Sequence, residues 1–306
     1  MQVFRSDTAE TVDLADQVRA KPTGLAAIYS GIKDFARRKP MAFGGAIVLI
    51  AAVLLAIFAD VIAPHEATDI GVGGRFMGPG AEGTPLGTDQ LGRDIYSRLI
   101  YGSRISMYVG IMSVVIGISL GTLIGIASAY VGGWTDILVQ RLVDALMGFP
   151  PIILALGLMA ALGASVNNVV IALVVILVPG ATRVIRSQAL SIKELDYTLA
   201  AKSIGASSTR IMLRHMLPNV AATFIVLITL TLGFAIVVEA SLSFLGVGIP
   251  PDIATWGSML ELGREHIDKQ GWMVVFPGFV IALIVFSVNF LGDGLRDVMD
   301  PRLRGR

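Results

Sequence analysis

No cysteine occurs among the 306 residues, which excludes disulfides, thiolate metal sites and cysteine nucleophiles. Histidine is almost as scarce. His65, His215 and His266 fall in predicted loops on both sides of the apolar runs, so they do not converge on one metal. Charge is thin as well: Asp, Glu, Lys and Arg make up 15% of the chain, where a soluble domain averages about a quarter. None of the six lysines (Lys21, Lys33, Lys39, Lys193, Lys202 and Lys269) follows a Gly-x-x-x-x-Gly, so no phosphate-cradling loop of that type is present. Gly-x-Ser-x-Gly and His-Glu-x-x-His are missing too. The sequence offers no catalytic residue, metal ligand set or cofactor site. A net charge of +1 says nothing about nucleic acid, but the basic residues are spent on loops, which leaves no room for a soluble basic binding face.

What the chain has is apolar length. Apolar residues make up 54%, and mean hydropathy is +0.75. Charge-free runs cover residues 41–59, 105–135, 145–182, 216–238 and 270–292. A bilayer core takes about 20 apolar residues per helix, so the third run is expected to hold two helices. Residues 163–168, Gly-Ala-Ser-Val-Asn-Asn, supply the turn between them. The expectation is an all-α polytopic membrane protein with six transmembrane helices. The first apolar run starts deep in the chain with no small-residue cleavage site after it, which reads as a retained helix rather than a signal peptide.

This reading divides the chain into a cytoplasmic tail (1–40), a first transmembrane helix (41–63), an extracytoplasmic loop (64–105), a core of five helices (106–292) and a cytoplasmic tail (293–306). The core carries a cytoplasmic loop at 186–218 and an extracytoplasmic loop at 248–271. Orientation comes from Lys and Arg: eighteen fall on the segments assigned to the cytoplasm and six outside. Arg98 and Arg104 run against that bias and are expected at the interface, on an amphipathic segment with Ile95, Leu99 and Ile100. Residues 1–30 read as a tail with one surface helix. Phe35-Ala36-Arg37-Arg38-Lys39-Pro40 reads as a basic topology anchor. Residues 64–90, rich in Gly and Pro, read as an irregular loop.

Within the spans, Ser113, Gly117, Gly121, Gly125 and Ala129 place a small residue at every fourth position, a stripe suited to close helix packing. Pro150, Pro151, Pro179 and Pro277 bend or break the other spans. Ionisable groups near spans are few: Asp60, Asp144, Glu239 and Arg141, which is expected to pair with Asp144 on one helix face. Such groups face protein or a water-filled path, so Glu239 is a candidate for the substrate pathway, with a buried interhelical hydrogen bond as the alternative.

Leu199-Ala200-Ala201-Lys202-Ser203-Ile204-Gly205 lies in the polar interval between the fourth and fifth spans. Ala200 and Ala201 are followed by three residues, Gly205, nine residues, His215, any residue, then Leu217-Pro218. A short helix, a bend at Gly205 and a second helix capped by Ser207 or Ser208 and ended by Pro218 are expected. The pattern resembles the "EAA" loop of binding-protein-dependent ABC importer permeases. Leu199 stands where that family has Glu, and His215 where it has an aliphatic residue. The candidate coupling residues are Leu199, Ala200, Ala201, Lys202, Gly205, Ala206, His215, Leu217 and Pro218.

Four more stretches extend the resemblance: residues 85–104, with an Asp89/Arg93 pair at helical spacing; Glu-Ala-Ser-Leu-Ser-Phe-Leu-Gly at 239–246; Trp256-Gly257-Ser258-Met259-Leu260; and Asn-Phe-Leu-Gly-Asp-Gly-Leu-Arg-Asp at 289–297. Together they are similar to the C-type permease of dipeptide, oligopeptide and nickel ABC importers, from about residue 35 to the end. That resemblance implies a type I importer fold in a bacterial or archaeal cytoplasmic (inner) membrane. It implies pairing with a homologous permease, two cytoplasmic ATPases that carry ATP and Mg, and an extracytoplasmic binding protein, alongside membrane lipid. Asp89, Arg93 and Trp256 are the candidate receptor contacts.

Two other classes fit the sequence less well. An ion-coupled secondary transporter calls for a relay of intramembrane charges and matched halves, neither visible here. A membrane enzyme lacks its catalytic cluster. On substrate, scarce His and absent Cys favour peptides over nickel.

Overall fold

The computed structural model describes residues 25–299, with side chains from residue 31. Its helices are α1 (Leu25–Arg38), α2 (Pro40–Ile57), α3 (Ala59–Ile62), α4 (Ile95–Val131), α5 (Gly133–Met147), α6 (Pro151–Leu162), α7 (Val166–Lys193), α8 (Asp196–Ser203), α9 (Ser208–Ile211), α10 (Leu217–Phe244), α11 (Trp256–Glu265) and α12 (Trp272–Met299). A π-helical turn, Met212–Met216, joins α9 to α10. Among the described residues no strand forms, only isolated bridges at Ala81–Thr84 and Thr88–Asp94. The fold is all-α, as the apolar runs predict. Of the expected tails, residues 1–24 and 300–306 lie outside the described residues. The nearer parts are helical: α1 precedes the first span, and α12 continues past residue 293 to Met299.

Five helical segments are long and apolar enough to cross a membrane: α2, α4, α7, Ser208–Phe244 and α12. A sixth crossing exists if α5 and α6 form one span, bent by 92°. The run 145–182 holds two helices, α6 and most of α7, with the turn between them where expected. α6 has only 12 residues, however, and reaches span length only together with α5, which carries Asp136, Arg141 and Asp144. The bend falls at Gly148-Phe149-Pro150-Pro151, where two consecutive prolines remove backbone donors. The charges on α5 are accommodated by α7: Arg186 Nε donates to Asp136 Oδ1 at 2.7 Å, and Arg183 pairs with Asp144. Asp144 therefore pairs across helices rather than with Arg141. The turn after α6 is tight. Ser165 caps α7 by accepting from Asn168 N at 3.1 Å, and the Asn168 amide donates to Leu162 O at 2.8 Å.

The most extensive helix pair is α4 with α7. Along the small-residue stripe, a Cβ at Gly117 would lie 3.0 Å from Leu177 Cβ. One at Gly121 would lie 2.6 Å from Ala181 Cβ, and one at Gly125 2.8 Å from Thr182 O. At Gly121 and Gly125 the backbones approach more closely than a side chain allows, which maximises dispersion contact where lipid offers no hydrophobic drive. The first span closes against the last. A Cβ at Gly45 would meet Ser287 O, and Lys39 forms an ion pair with Asp297. The rest of α2 is largely exposed, with Met41, Ile47, Ile50, Leu54 and Ile57 facing outward.

The seam yields a paired prediction. Gly121→Ala forces α4 and α7 apart and is expected to cost about 1–3 kcal/mol, read as a lower Tm of the purified protein in detergent. Gly157→Ala on α6, where a Cβ meets nothing within 4 Å, is expected to leave Tm unchanged. Equal Tm values for the two variants would show that the seam is not tightly packed.

Candidate functional site

The polar interval after α7 folds as the expected helix–turn–helix. α8 ends in a Schellman motif: Ala206 N donates to Ala201 O and Gly205 N to Lys202 O, both at 3.0 Å. Gly205 takes φ +80°, which a glycine adopts without strain. Ser207 caps α9 by accepting from Arg210 N. The two alanines divide their roles. Ala201 is buried in an apolar cluster with Ile192, Ile211, Met216 and Val220, which seats α8 on the ends of α4 and α7. Ala200 faces outward, beside Leu195, Tyr197, Leu199 and Ile204, the last of these 85% exposed. Lys202 is exposed as well.

Pro218 does not end the second helix. It stands in the first turn of α10, and the segment runs on as Ser208–Phe244. The chain meets the missing N–H by widening the preceding turn into the π-helix, so no sharp break is needed. His215 lies in that turn rather than in a loop. Its ring sits 6.2 Å from that of Tyr197, bracing the start of α8 against the π turn where an aliphatic residue was expected.

Residues 63–94 form a cap at the other end of the bundle. Gly87 and Gly92 take positive φ, and a Cβ at Gly92 would lie 2.7 Å from Gly73 O. Asp89 organises the cap. Its Oδ1 accepts from Leu91 N and Arg93 N at 2.9 and 3.0 Å, and its Oδ2 accepts from Arg93 Nε at 2.6 Å. The Asp89/Arg93 spacing is thus a turn, not a helix, and both residues are buried. Asp94 caps α4, accepting from Ser97 N at 3.0 Å.

Arg98 is 1% exposed, not interfacial. It donates to Ala67 O at 3.0 Å and Pro251 O at 3.3 Å, with Asp89 Oδ2 3.9 Å from its Nε. One guanidinium thus ties the cap, α4 and the segment before α11 together. Arg104 meets the expectation better, at the surface in an ion pair with Asp60 at 2.9 Å. Trp256 opens α11 behind a Thr255/Ser258 capping box and is buried, its indole donating to Leu99 O at 3.1 Å. The three candidate receptor contacts therefore shape the surface from beneath it. On the exposed side of α11, partial burial, with Glu265 nearby, holds the Glu261 carboxyl above the usual carboxylate range.

Glu239 is 1% exposed, enclosed between α10 and α11. Its Oε1 accepts from Ser243 Oγ at 3.2 Å, and a Cβ at Gly257 would come within 3.1 Å of it. In the single chain the carboxylate is enclosed rather than open. Its hydrogen bond comes from Ser243 one turn along α10, Oε2 has no hydrogen-bond partner among the described residues, and the contact with α11 is packing against Gly257. A groove of about 590 Å³ does run along α10, α11 and α12, lined by Val237, Ser241, Phe244, Leu260, Ile281 and Phe286, but Glu239 is not part of its wall. Ser241 is the one hydroxyl among those residues, which suits passage or packing rather than catalysis. No grouping of three or more His, Asp or Glu suited to a metal occurs among the described residues. Arg98 is thus buried where an interfacial position was expected, and Ser106, whose Oγ accepts from Trp256 N at 3.1 Å, carried no sequence signal. A buried cation is not legible without its partners, which lie far off in the chain.

Comparison with known proteins places this geometry. Residues 117–305 match the family described as binding-protein-dependent transport system inner membrane component. Residues 36–79 match the N-terminal TM domain of oligopeptide transport permease C. A protein named as a peptide transport system permease in Brucella suis biovar 1 is 43% identical over 260 residues, 85% of this chain and 87% of that one. The dipeptide transport system permease of Alkalihalophilus pseudofirmus is 39% identical over 268 residues, 88% of each chain. A glutathione transport system permease of Escherichia coli O6:H1 is 40% identical over 270 residues, 88% of this chain and 89% of that one. A chain of the MetNI methionine ABC transporter, in an inward-facing conformation, shares the fold with a TM-score of 0.54 at 16% identity, covering 66% of this chain and 96% of that one. With its all-helical bundle and the loop after α7, the chain belongs to the binding-protein-dependent ABC importer permeases, as a C-type subunit.

Proposed function

We propose that this chain forms half of the transmembrane pathway of an ATP-driven importer of di- or oligopeptides. The relatives named for peptides, dipeptides and glutathione support that substrate class. The other half is a homologous permease. Two cytoplasmic ATPases carry ATP, Mg and hydrolysis, and an extracytoplasmic binding protein delivers cargo; this chain holds no cofactor of its own. The observation that carries the reading is the α8–α9 loop, which presents Ala200, Leu199 and Ile204 outward while Ala201 locks it to α4 and α7. A push on that surface passes into α7 and α10 as rigid bodies. With Leu199 in place of the family's Glu, docking to the ATPase rests on shape and apolar contact. The receptor meets the exposed surface of the cap and of α11, held in form by Asp89, Arg93, Arg98 and Trp256.

Orientation follows from the charge bias, with both termini and the α8–α9 loop cytoplasmic. Single cysteines at Glu82 and Ser208, both exposed in a chain free of cysteine, are expected to react with a membrane-impermeant thiol reagent from opposite sides. Reaction of both from one side overturns the topology.

Ala200→Glu and Ile204→Asp alter only the outward surface of the loop. Both are expected to leave the permease pair assembled yet to reduce ATPase co-purification and receptor-stimulated hydrolysis at least tenfold, the equivalent of about 1.4 kcal/mol or more at the contact. Gly205→Val is expected to do the same through strain at φ +80°. Normal values in all three variants would show that another surface makes the contact.

For Glu239, enclosure supports a pinning role between α10 and α11. Glu239→Gln keeps the acceptor for Ser243 and is expected to preserve assembly and transport. Glu239→Ala is expected to cost about 1–3 kcal/mol and lower the amount assembled. A loss of transport in Glu239→Gln with assembly intact would return the carboxylate to the cargo path.

A further inference from the structure

α1 stands at the end of the first span and is not explained by the transport pathway. Its residue Phe35 is half-buried, its ring 3.4 Å from where a Cβ of Gly294 would lie. Lys39, at the break before α2, is committed to Asp297 of α12. The neighbouring cations are not committed. Lys33, Arg37 and Arg38 are exposed, and among the described residues none of them forms an ion pair. Asp34 is exposed beside them, as is Asp293 next to Gly294 on α12, and Ile32, next to Lys33, is 52% exposed. Pro40 then opens the apolar helix α2 directly.

A large apolar side chain and three cations without an ion pair among the described residues thus sit where a membrane helix leaves the hydrocarbon. Ile32 gains by insertion at the acyl boundary, while long basic side chains reach phosphates at headgroup level. The cluster offers one flexible point charge, Lys33, and a bidentate-capable pair of guanidiniums, Arg37 and Arg38. We infer that α1 is a binding surface for anionic phospholipid, held by Lys33, Arg37 and Arg38 with Ile32 immersed. The inference rests on α2 spanning the membrane and is independent of cargo and of which side α1 occupies.

The full chain can be tested in nanodiscs of phosphatidylcholine alone and of phosphatidylcholine with phosphatidylglycerol. Gly31→Cys supplies the single thiol for an environment-sensitive fluorophore, at a position where a Cβ meets nothing within 4 Å. The expected result is a blue shift in discs containing phosphatidylglycerol, reversed by high salt. Arg37→Gln with Arg38→Gln is expected to weaken the dependence on phosphatidylglycerol about 25-fold, from about fivefold per basic residue near an anionic surface. Lys39→Gln is expected to retain the shift, because that ammonium belongs to Asp297. A label that reports water in both discs, or an equal, salt-independent shift in both, overturns the inference. So does a shift in neutral discs that appears only when a second permease is co-reconstituted, which would assign the surface to protein.

Discussion

Gly121 and Gly125 of α4 bring its backbone against α7 at a separation that admits no Cβ, Gly117 leaves barely room for one, and the two ends of the molecule are arranged around that seam. In lipid the helices gain nothing from hiding apolar surface, so their alignment depends on close contact of this kind. Because α7 continues as one helix to Lys193, the seam also fixes where the α8–α9 loop emerges. Lys193 Nζ donates to Ala129 O at 3.2 Å, extending the register of the pair to its last turn. α4 is equally continuous in the other direction, back to its cap at Asp94. The cap and the loop after α7 are therefore mounted on opposite ends of one rigid pair of helices.

The cap shows how a membrane protein uses a buried charge. Placing Arg98 inside carries a desolvation cost that only full hydrogen bonding and a nearby carboxylate offset. Here the guanidinium has two carbonyls from distant segments and Asp89 within reach. An apolar side chain of similar size would fill the space without specifying which segments meet there. The ion pairs between α5 and α7 act in the same way. They select the position of a bent segment whose remaining surface is largely exposed in the single chain.

Much of this was legible in the sequence for simple reasons. Runs without charge mark spans, and a four-residue repeat of small side chains marks a seam. An Ala-Ala/Gly/Leu-Pro spacing marks the loop whose Gly205 takes the left-handed conformation. What was not legible depended on partners distant in the chain. Arg141 looked like the partner of Asp144 because it lies three residues away, whereas Arg183 and Arg186, which pair with Asp144 and Asp136, lie on another helix. Arg98 looked interfacial because Ala67 and Pro251 give no sign in sequence that their carbonyls are free. Pro218 looked like a stop because the rule that proline breaks a helix takes no account of a π turn before it. Ala200 and Ala201 looked equivalent, and only burial separates the one that seats the loop from the one that faces out.

The contact between Lys39 and Asp297 spans 258 positions of the chain. Together with the close approach of Gly45 to Ser287, it gives α2 a principal packing partner far along the chain. The nearer neighbour of α2 is α4, where Arg104 Nε donates to Ala56 O. During biosynthesis α2 therefore meets α4 well before α12, and much of its packing is deferred. Its broadly lipid-compatible surface suits that wait, since the side not yet covered by α12 is at home against acyl chains.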